Sequence, residues 1–162
     1  MGLNGCGLSK RMGWDMRIIH EPKELIGQYV ATKQNRPADW GLYTAFGLLN
    51  KNDELVAGII FNGYTHPSIM MHISADYITP GFIATAMHYA FVKLNCKRIT
   101  GAIEQGNKDS RRFAVSLGAQ LEGIMRDATP KGDLYIYGLL RANAQKWIKP
   151  QYIKKLEDSW VS

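Results

Sequence analysis

Residues 98–141 read RITGAIEQGNKDSRRFAVSLGAQLEGIMRDATPKGDLYIYGLLR, and this stretch decides the fold. Lys97–Glu104 has the apolar content of a strand, and Asn107–Leu117 has the length of a short helix. Gly118 is a typical residue to close that helix, because glycine adopts the left-handed conformation without strain. A polar turn divides residues 119–140 into two apolar segments, which predicts a β-hairpin.

Outside residues 98–141, the chain alternates short strands with helical segments. The apolar positions Leu25, Ile26, Tyr29 and Val30 predict one face of a first helix. Hairpins combined with strand–helix–strand crossovers predict an α/β (α+β) protein. Its central sheet is expected to be mixed and mostly antiparallel, with about seven strands and helices on both faces. The expected strands are Met16–His20, Tyr43–Leu49, Leu55–Tyr64, Ile69–Asp76, Lys97–Glu104, Ala119–Asp127 and Asp133–Leu140. The expected helices run from Pro22 to about Asn35, from Thr79-Pro80 to about Asn95, over Asn107–Leu117 and over Ala142–Asp158, the last interrupted near Pro150.

Length and composition predict one folded domain. The chain has 162 residues, of which 46% are hydrophobic, and a net charge of +6. Residues 1–13 contain four glycines and are expected to form a flexible arm before a single domain over residues 14–162. The absence of a long apolar run and of a signal-like start, together with only two cysteines, predicts a cytoplasmic protein without a membrane segment. The basic balance favours an anionic partner or simple surface solubility.

Two segments are candidates for binding chemistry. Thr79-Pro80 is a typical helix start, whose N–H groups can bind a pyrophosphate or can simply be capped. Asn107-x-x-Ser110, with Lys108, Arg111 and Arg112 beside it, is a second helix start. Asn107 is there either a cap or a ligand-binding residue, and the basic side chains are either a binding patch or a solvated surface. No His or Cys spacing typical of a metal site is present, so no metal is expected.

The ordered motifs of residues 79–147 resemble the GNAT superfamily of N-acetyltransferases. They are Asn107-x-x-Ser110, Leu117-Gly118, Glu122-Gly123-x-x-Arg126 and Asp133-x-x-x-Tyr137-Gly-Leu-Leu-Arg141. The resemblance is closest to the branch of ribosomal-protein and N-terminal acetyltransferases and their small phage and prophage members. Residues 14–76 match this family only in the order of their elements.

The resemblance implies that acetyl-CoA is the co-substrate and lies in a cleft between two splayed strands. It implies that pantetheine pairs with backbone at Ile73, Ser74, Ala75 and Asp76. The pyrophosphate would lie at Thr79, Gly81 and Phe82, although the family's usual glycine-rich loop is not present there. Asn107 and Ser110 would meet the pantetheine arm and the thioester, and Arg111 and Arg112 would meet phosphates.

Three residues are candidates for catalysis. Ser110 is the candidate donor to the departing thiolate, because Ala114 stands where many members of the family carry a tyrosine acid. His72 and Glu104 are candidate bases, with a satisfied half-buried histidine and a plain surface carboxylate as the alternatives. Glu122 is either a base acting through water or the partner of an ion pair with Arg126 or Arg98.

The expected function is therefore acetyl transfer to an amine, by direct attack in a ternary complex. The acceptor is expected to be a protein or peptide, with a small molecule as the other option. The lack of a clear base favours an α-amine, whose pKa is lower than that of lysine. The alternative is a catalytically silent GNAT-fold module that binds through its basic surface. Nucleic acid is not favoured as a partner, and a homodimer is left open.

Overall fold

The computed structural model describes residues 16–150, so the predicted arm at residues 1–13 and the end of the predicted final helix lie outside the described residues. Within this part of the chain, seven strands form a mixed, mostly antiparallel sheet. The chain divides into two compact units. Unit 1 contains the described residues up to Tyr64 together with Met70–Phe82, and unit 2 contains Thr65–Ile69 and the described residues from Ile83 onward.

The strands of unit 1 follow one another in chain order, and each pairs antiparallel with the next. Asn50 closes the turn of the central hairpin, since its Oδ1 accepts hydrogen bonds from the backbone N–H groups of Asn52 and Glu54. The predicted strands are confirmed to within about two residues at each end. Their bounds are β1 Arg17–Ile19, β2 Tyr43–Leu49, β3 Leu55–Asn62 and β4 Ser68–Ala75, of which the residues from Met70 onward belong to this unit.

The first helix, α1, spans Lys23–Lys33 and packs on β2 and β3. The predicted apolar face is wrong at Leu25, which is 54% exposed, because the buried residues include Gly27 instead. The indole of Trp40 explains why Gly27 is buried. A Cβ at residue 27 would lie 3.2 Å from the Trp40 ring, and Trp40 Nε1 donates to the carbonyl of Gly27 at 3.1 Å. The core of unit 1 is formed by Ile26, Val30, Ala31, Trp40, Ala45 and Ile60.

The helix that begins at Pro80 differs from the prediction in its second half. Its α-helical part, α2, spans Pro80–Met87, and a π-helix continues over His88–Lys93. An apolar stripe at helical spacing predicts a helix but does not distinguish bonding four residues back from bonding five residues back. Leu94 shows the wider winding, since its backbone N–H donates to the carbonyl of Tyr89.

Unit 2 contains three further strands in the order β5-β7-β6, in which β7 pairs antiparallel with both β5 and β6. They are β5 Arg98–Glu104, β6 Gln120–Thr129 and β7 Gly132–Leu140. Helix α3, Lys108–Leu117, lies against β5 and ends at Gly118, which has a φ of 106°. The glycine closure predicted from the sequence is thus confirmed.

The C-terminal part of unit 2 differs from the prediction. A 3₁₀ helix spans Arg141–Trp147, where the sequence predicts a helix from residue 142 that is interrupted near Pro150. Arg141 anchors its start, because its guanidinium donates to Asn95 Oδ1 at 2.6 Å and to the carbonyl of Cys96 at 2.7 Å. Among the described residues, no helix is long and apolar enough to cross a membrane.

Candidate functional site

The end of β4 has an irregular backbone that leads into α2. The backbone N–H groups of Asp76 and Tyr77 both donate to the carbonyl of Val56, at 2.8 and 3.1 Å. This double contact ends regular strand pairing and turns the chain toward Pro80. Thr79 Oγ1 then accepts a hydrogen bond from the backbone N–H of Phe82 at 3.1 Å. The predicted helix cap is therefore confirmed, and a Cβ placed at Gly81 would meet no atom within 4 Å.

The carboxylate of Asp76 connects this segment to α1. It accepts hydrogen bonds from Lys33 Nζ at 2.7 Å and from the Tyr29 hydroxyl at 3.1 Å. The hydrogen bond from Lys33 lowers the pKa of Asp76 below its usual value, and that from Tyr29 acts in the same direction. Burial, together with the Asp76 hydrogen bond, raises the pKa of Tyr29. Asp76 is therefore a fixed anion that holds α1 at the end of β4.

His72, one of the candidate bases, is held in a polar cluster on the inner part of the same strand. Its Nε2 lies 2.9 Å from Oδ1 of Asn62, and its ring lies 5.0 Å from the ring of Trp40. The Asn62 amide donates to the carbonyl of Trp40 at 3.1 Å, so its Oδ1 is the acceptor for His72. It follows that Nε2 of His72 carries the proton and Nδ1 carries the lone pair.

The surroundings of His72 keep the ring neutral. Burial, followed by the charge of Arg36, lowers the pKa of His72 to about 4. The Arg36 guanidinium lies 4.2 Å from the centroid of the Trp40 ring, so the same cation packs over the indole beside His72. The structure thus shows a satisfied, partly buried histidine, which is the alternative to a base that titrates near neutrality. A catalytic role for His72 stays a prediction.

In unit 2, the structure describes the start of α3 in detail. Asn107 Oδ1 accepts a hydrogen bond from the backbone N–H of Ser110 at 3.1 Å, so Asn107 caps the helix. The contact uses the backbone of Ser110, and the Ser110 hydroxyl takes no part in it. The two residues of the predicted motif therefore lie one turn apart at the same helix end, which is also the positive end of the helix dipole.

The basic residues of α3 have different surroundings. The Arg111 guanidinium donates to the carbonyl of Gln105 at 3.0 Å and to the Tyr137 hydroxyl at 3.3 Å. It also lies 4.3 Å from the centroid of the Tyr135 ring. Arg111 is thus occupied in joining α3 to β7, whereas Lys108 and Arg112 are exposed.

Glu122 belongs to an ion pair, which is one of the two alternatives drawn from the sequence. Its Oε1 lies 2.6 Å from Nη2 of Arg98, and the Arg98 Nε also donates to Thr100 Oγ1 at 3.1 Å. Arg98 is therefore the partner, and Arg126 is not. The pair crosses the backbone of Gly138, where an added Cβ would lie 2.0 Å from Glu122 Oε2.

A pocket of about 290 Å³ lies inside unit 2, where β5, the start of α3 and the β6–β7 turn meet. It is lined by Glu104, Gln105, Gly106, Asn107, Thr129 and Lys131. Two predicted site residues, Glu104 and Asn107, thus share one pocket. Among the described residues, no group of three or more His, Cys, Asp or Glu side chains could hold a metal ion.

The structure places the predicted residues in two sets. Unit 1 holds His72, Ile73, Ser74, Ala75, Asp76, Thr79, Gly81 and Phe82, and unit 2 holds Glu104, Asn107, Ser110, Arg111 and Arg112. Sequence reasoning missed Asn62, Thr129 and Lys131. Asn62 lies diagonally from His72 on the same face, because the β3–β4 register pairs Ile60 with His72, and the local sequence does not specify this register. The sequence marks Lys131 only as a turn residue, since nothing in a turn sequence shows which strand end it approaches.

Comparison with known proteins shows the fold. No protein-family model matches the chain, and no curated protein does. Solved structures of the spermidine/spermine N-acetyltransferase SpeG from Vibrio cholerae do match it. A structure of mutant forms of that enzyme covers 83% of this chain and 99% of that one, at 12% identity and a TM-score of 0.66. A complex with CoA and spermine covers 81% and 98%, at 13% identity and a TM-score of 0.65. A dodecameric form covers 84% and 99%, at 12% identity and a TM-score of 0.66.

Proposed function

We propose that this protein, which has the GNAT fold, is an acetyl-CoA-dependent N-acetyltransferase. The observation that carries the proposal is the likeness, over four fifths of the chain, to an N-acetyltransferase solved with CoA and spermine. The acceptor is an amine, and we propose that it belongs to a protein or peptide. Membership of the ribosomal-protein and phage branch, a cytoplasmic location and a single domain over residues 14–162 remain part of this proposal.

The end of β4 and the start of α2 are the proposed sites for the CoA portion. Pantetheine would pair with backbone groups of Ile73, Ser74, Ala75 and Asp76, in the manner of an added strand. The Asp76 carboxylate binds Lys33 and Tyr29, and the Asp76 backbone N–H donates to Val56, so this residue offers its backbone carbonyl to the ligand. The pyrophosphate would lie at the Thr79-capped turn, where Gly81 has no Cβ to restrict its approach. Phe82, buried in this turn, would fix its position.

The start of α3 is the proposed site for the thioester end. Acetyl transfer forms a bond between the amine nitrogen and the carbonyl carbon and breaks the bond from that carbon to sulfur. The leaving thiolate accepts a proton, which we assign to the Ser110 hydroxyl, while Asn107 fixes the helix turn that carries it. The amine loses a proton to a base, for which Glu104 is the proposed residue. His72, neutral and bound to Asn62, is the proposed second candidate.

One feature favours the alternative, a silent GNAT-fold module that binds partners through its basic surface. Ala114, in the middle of α3, offers no hydroxyl where members of the family carry a tyrosine acid. Such a module has no need to bind acetyl-CoA, whereas the enzyme does. Acetyl-CoA binding therefore separates the two functions.

Titration calorimetry with acetyl-CoA at low and at high salt tests the proposal. We expect binding that weakens with salt, because the exposed Lys108 and Arg112 attract the anionic ligand and salt screens this attraction. Arg112→Ala should weaken binding several-fold, whereas the matched variant Lys51→Ala, on the β2–β3 turn, should not. Absence of binding at both salt concentrations would overturn the enzyme proposal and favour the silent module.

A further inference from the structure

The pocket of unit 2 contains one anionic and one cationic side chain. Glu104 ends β5, and Lys131 lies in the turn between β6 and β7. Within residues 16–150, neither side chain belongs to an ion pair. Both are exposed, and both line the same space of about 290 Å³. The protein therefore presents opposite charges across this pocket without neutralising them against each other.

The other polar groups of the pocket are mostly engaged within the fold. The Thr129 hydroxyl donates to the carbonyl of Gly132 at 2.9 Å and accepts from the backbone of Lys131 at 3.3 Å. The carbonyl of Gln105 accepts from Arg111, and Oε1 of Gln105 accepts from the backbone of Asp133 at 3.4 Å. Asn107 uses Oδ1 for the helix cap, which leaves its side-chain N–H groups as donors. The lining groups that are not engaged within the fold are thus one carboxylate, one ammonium and the amide N–H groups of Asn107 and Gln105.

This set of groups matches a ligand that has both charges. A carboxylate accepts from an amine, and an ammonium together with an amide N–H donates to a carboxylate. The volume equals that of about ten water molecules in the liquid, which suits one or two amino-acid residues. A long polycation fits poorly, since Lys131 would repel it and the net charge of the chain is +6.

We propose that this pocket selects an acceptor whose amine lies within one or two residues of a carboxylate. The acceptor class is therefore a short peptide or an acidic chain terminus, and a polyamine is disfavoured. Glu104 faces the amine, and Lys131 and Asn107 bind the carboxylate. This inference rests on the proposed acetyltransferase function and specifies the acceptor for the same site. It assigns to Lys131 a role in specificity.

The test compares acceptors that differ in one charge. Thiol release from acetyl-CoA is measured with alanyl-alanine, with its C-terminal amide, with alanyl-aspartate amide and with spermidine. We expect amidation of alanyl-alanine to lower kcat/KM about fivefold, the scale of one partly exposed charge pair. In alanyl-aspartate amide the carboxylate is on a side chain, whereas in alanyl-alanine it is at the C-terminus. Comparing their kcat/KM values shows which of the two carboxylates the pocket recognises.

Variants of Lys131 decide whether this residue is responsible. Lys131→Glu should abolish the preference for the free acid and raise the rate with spermidine. For Lys131→Met, we expect both the acid-to-amide ratio and the spermidine rate to lie between those of the wild type and Lys131→Glu. Lys51→Glu carries the same change in net charge on the β2–β3 turn and should keep the wild-type ratio. Equal rates for acid and amide in the wild type, an unchanged ratio in Lys131→Glu, or a wild-type preference for spermidine would overturn the inference.

A binding measurement keeps this inference distinct from the proposed function. Alanyl-alanine is titrated into ¹⁵N-labelled protein, and the backbone amide signals of residues 104–107, Thr129 and Lys131 are followed. We expect these signals to shift in the wild type and to shift much less in Lys131→Glu. If no amine is acetylated but these shifts occur, the enzyme proposal fails and the pocket assignment holds. If acetylation occurs and these signals do not move, the pocket assignment fails.

Discussion

The imidazole Nε2 of His72 lies 2.9 Å from Oδ1 of Asn62 and donates a hydrogen bond to this oxygen. Because the Asn62 amide itself donates to the carbonyl of Trp40, this contact joins β4, β3 and the segment after α1. The pKa of about 4 follows from burial of the ring and from the charge of Arg36. His72 is thus held as a neutral donor through its fixed tautomer, with Nδ1 as its remaining acceptor.

His72 should make the stability of the fold sensitive to acid. The unfolded chain protonates this ring near pH 6.5, whereas the folded chain does so near pH 4. Its contribution is therefore complete above pH 6.5 and is lost as the pH falls toward 4, up to a limit of about 3 kcal/mol. Urea unfolding between pH 7 and pH 4 measures this slope. His72→Gln, which keeps a donor for Asn62, should flatten it, and an unchanged slope would contradict the assignment.

The Lys33–Asp76 contact predicts that the pKa of Asp76 changes when Lys33 is replaced. Asp76 has a lowered pKa chiefly because Lys33 donates to it, so Lys33→Met should raise that pKa toward its usual value. A carboxylate with a lowered pKa contributes stability above its unfolded pKa and loses it as the pH falls through the folded one. NMR titration of the Asp76 carboxyl measures the change directly. The same titration in Lys51→Met should match the wild type.

Ser110→Ala should separate catalysis from helix capping. The cap uses the backbone N–H of Ser110, so this variant keeps the melting temperature of the wild type. Loss of a proton donor to the thiolate should lower kcat on the order of 10²-fold, with little effect on acetyl-CoA affinity. Asn107→Ala should show the converse for stability, a loss of about 1 kcal/mol. A normal kcat in Ser110→Ala would remove its catalytic role.

The side-chain cap of α2 predicts a combined effect on stability and binding. Thr79→Ala removes the acceptor for the Phe82 N–H and should lower stability by about 1 kcal/mol. If the pyrophosphate lies at this turn, the same variant should also weaken acetyl-CoA binding, whereas Thr79→Ser should restore both. Calorimetry with acetyl-CoA and thermal unfolding of Thr79→Ala and Thr79→Ser check this expectation. Weakened stability with unchanged affinity would place the phosphates elsewhere.

The geometry of the Arg98–Glu122 ion pair should depend on the absence of a side chain at Gly138, because the pair lies over this residue. A Cβ at this position would lie 2.0 Å from Glu122 Oε2 and 2.6 Å from Arg98 Nη2, so Gly138→Ala must displace the pair. Since both contacts are ends of flexible side chains, we expect a loss of at most about 1 kcal/mol. The loss should shrink in a Glu122→Ala background, which a double-mutant cycle by urea unfolding measures. Equal losses in both backgrounds would show that the pair is not the obstacle.

The sequence predicts regular elements well where the hydrophobic pattern is strong. Strand β2 begins and ends at the predicted residues, and α3 has both the predicted asparagine cap and the predicted glycine closure. The orientation of α1 was not predictable, because Gly27 is buried against the Trp40 indole and the Tyr43 hydroxyl, which lie outside the helix in sequence. The π-helix and the 3₁₀ helix share the apolar spacing of ordinary helices, so the pattern gives no sign of either.

The site was predicted less completely than the fold. Motif order identified Asn107 and Ser110, and the structure shows that they meet at one helix end. The Asn62–His72 contact depends on the register of two strands, and the pocket that Lys131 and Glu104 both line depends on the fold of the β6–β7 turn. Both relationships arise from tertiary packing, which local sequence does not specify.

Direct acetyl transfer is tested by incubating the protein with acetyl-CoA and alanyl-alanine and measuring both the released CoA thiol and the acetylated peptide. We predict equal amounts of the two products, formed over many turnovers and lost in parallel in Ser110→Ala. Acetyl-CoA that remains intact with every amine offered, in a protein shown by its melting transition to be folded, would contradict the account.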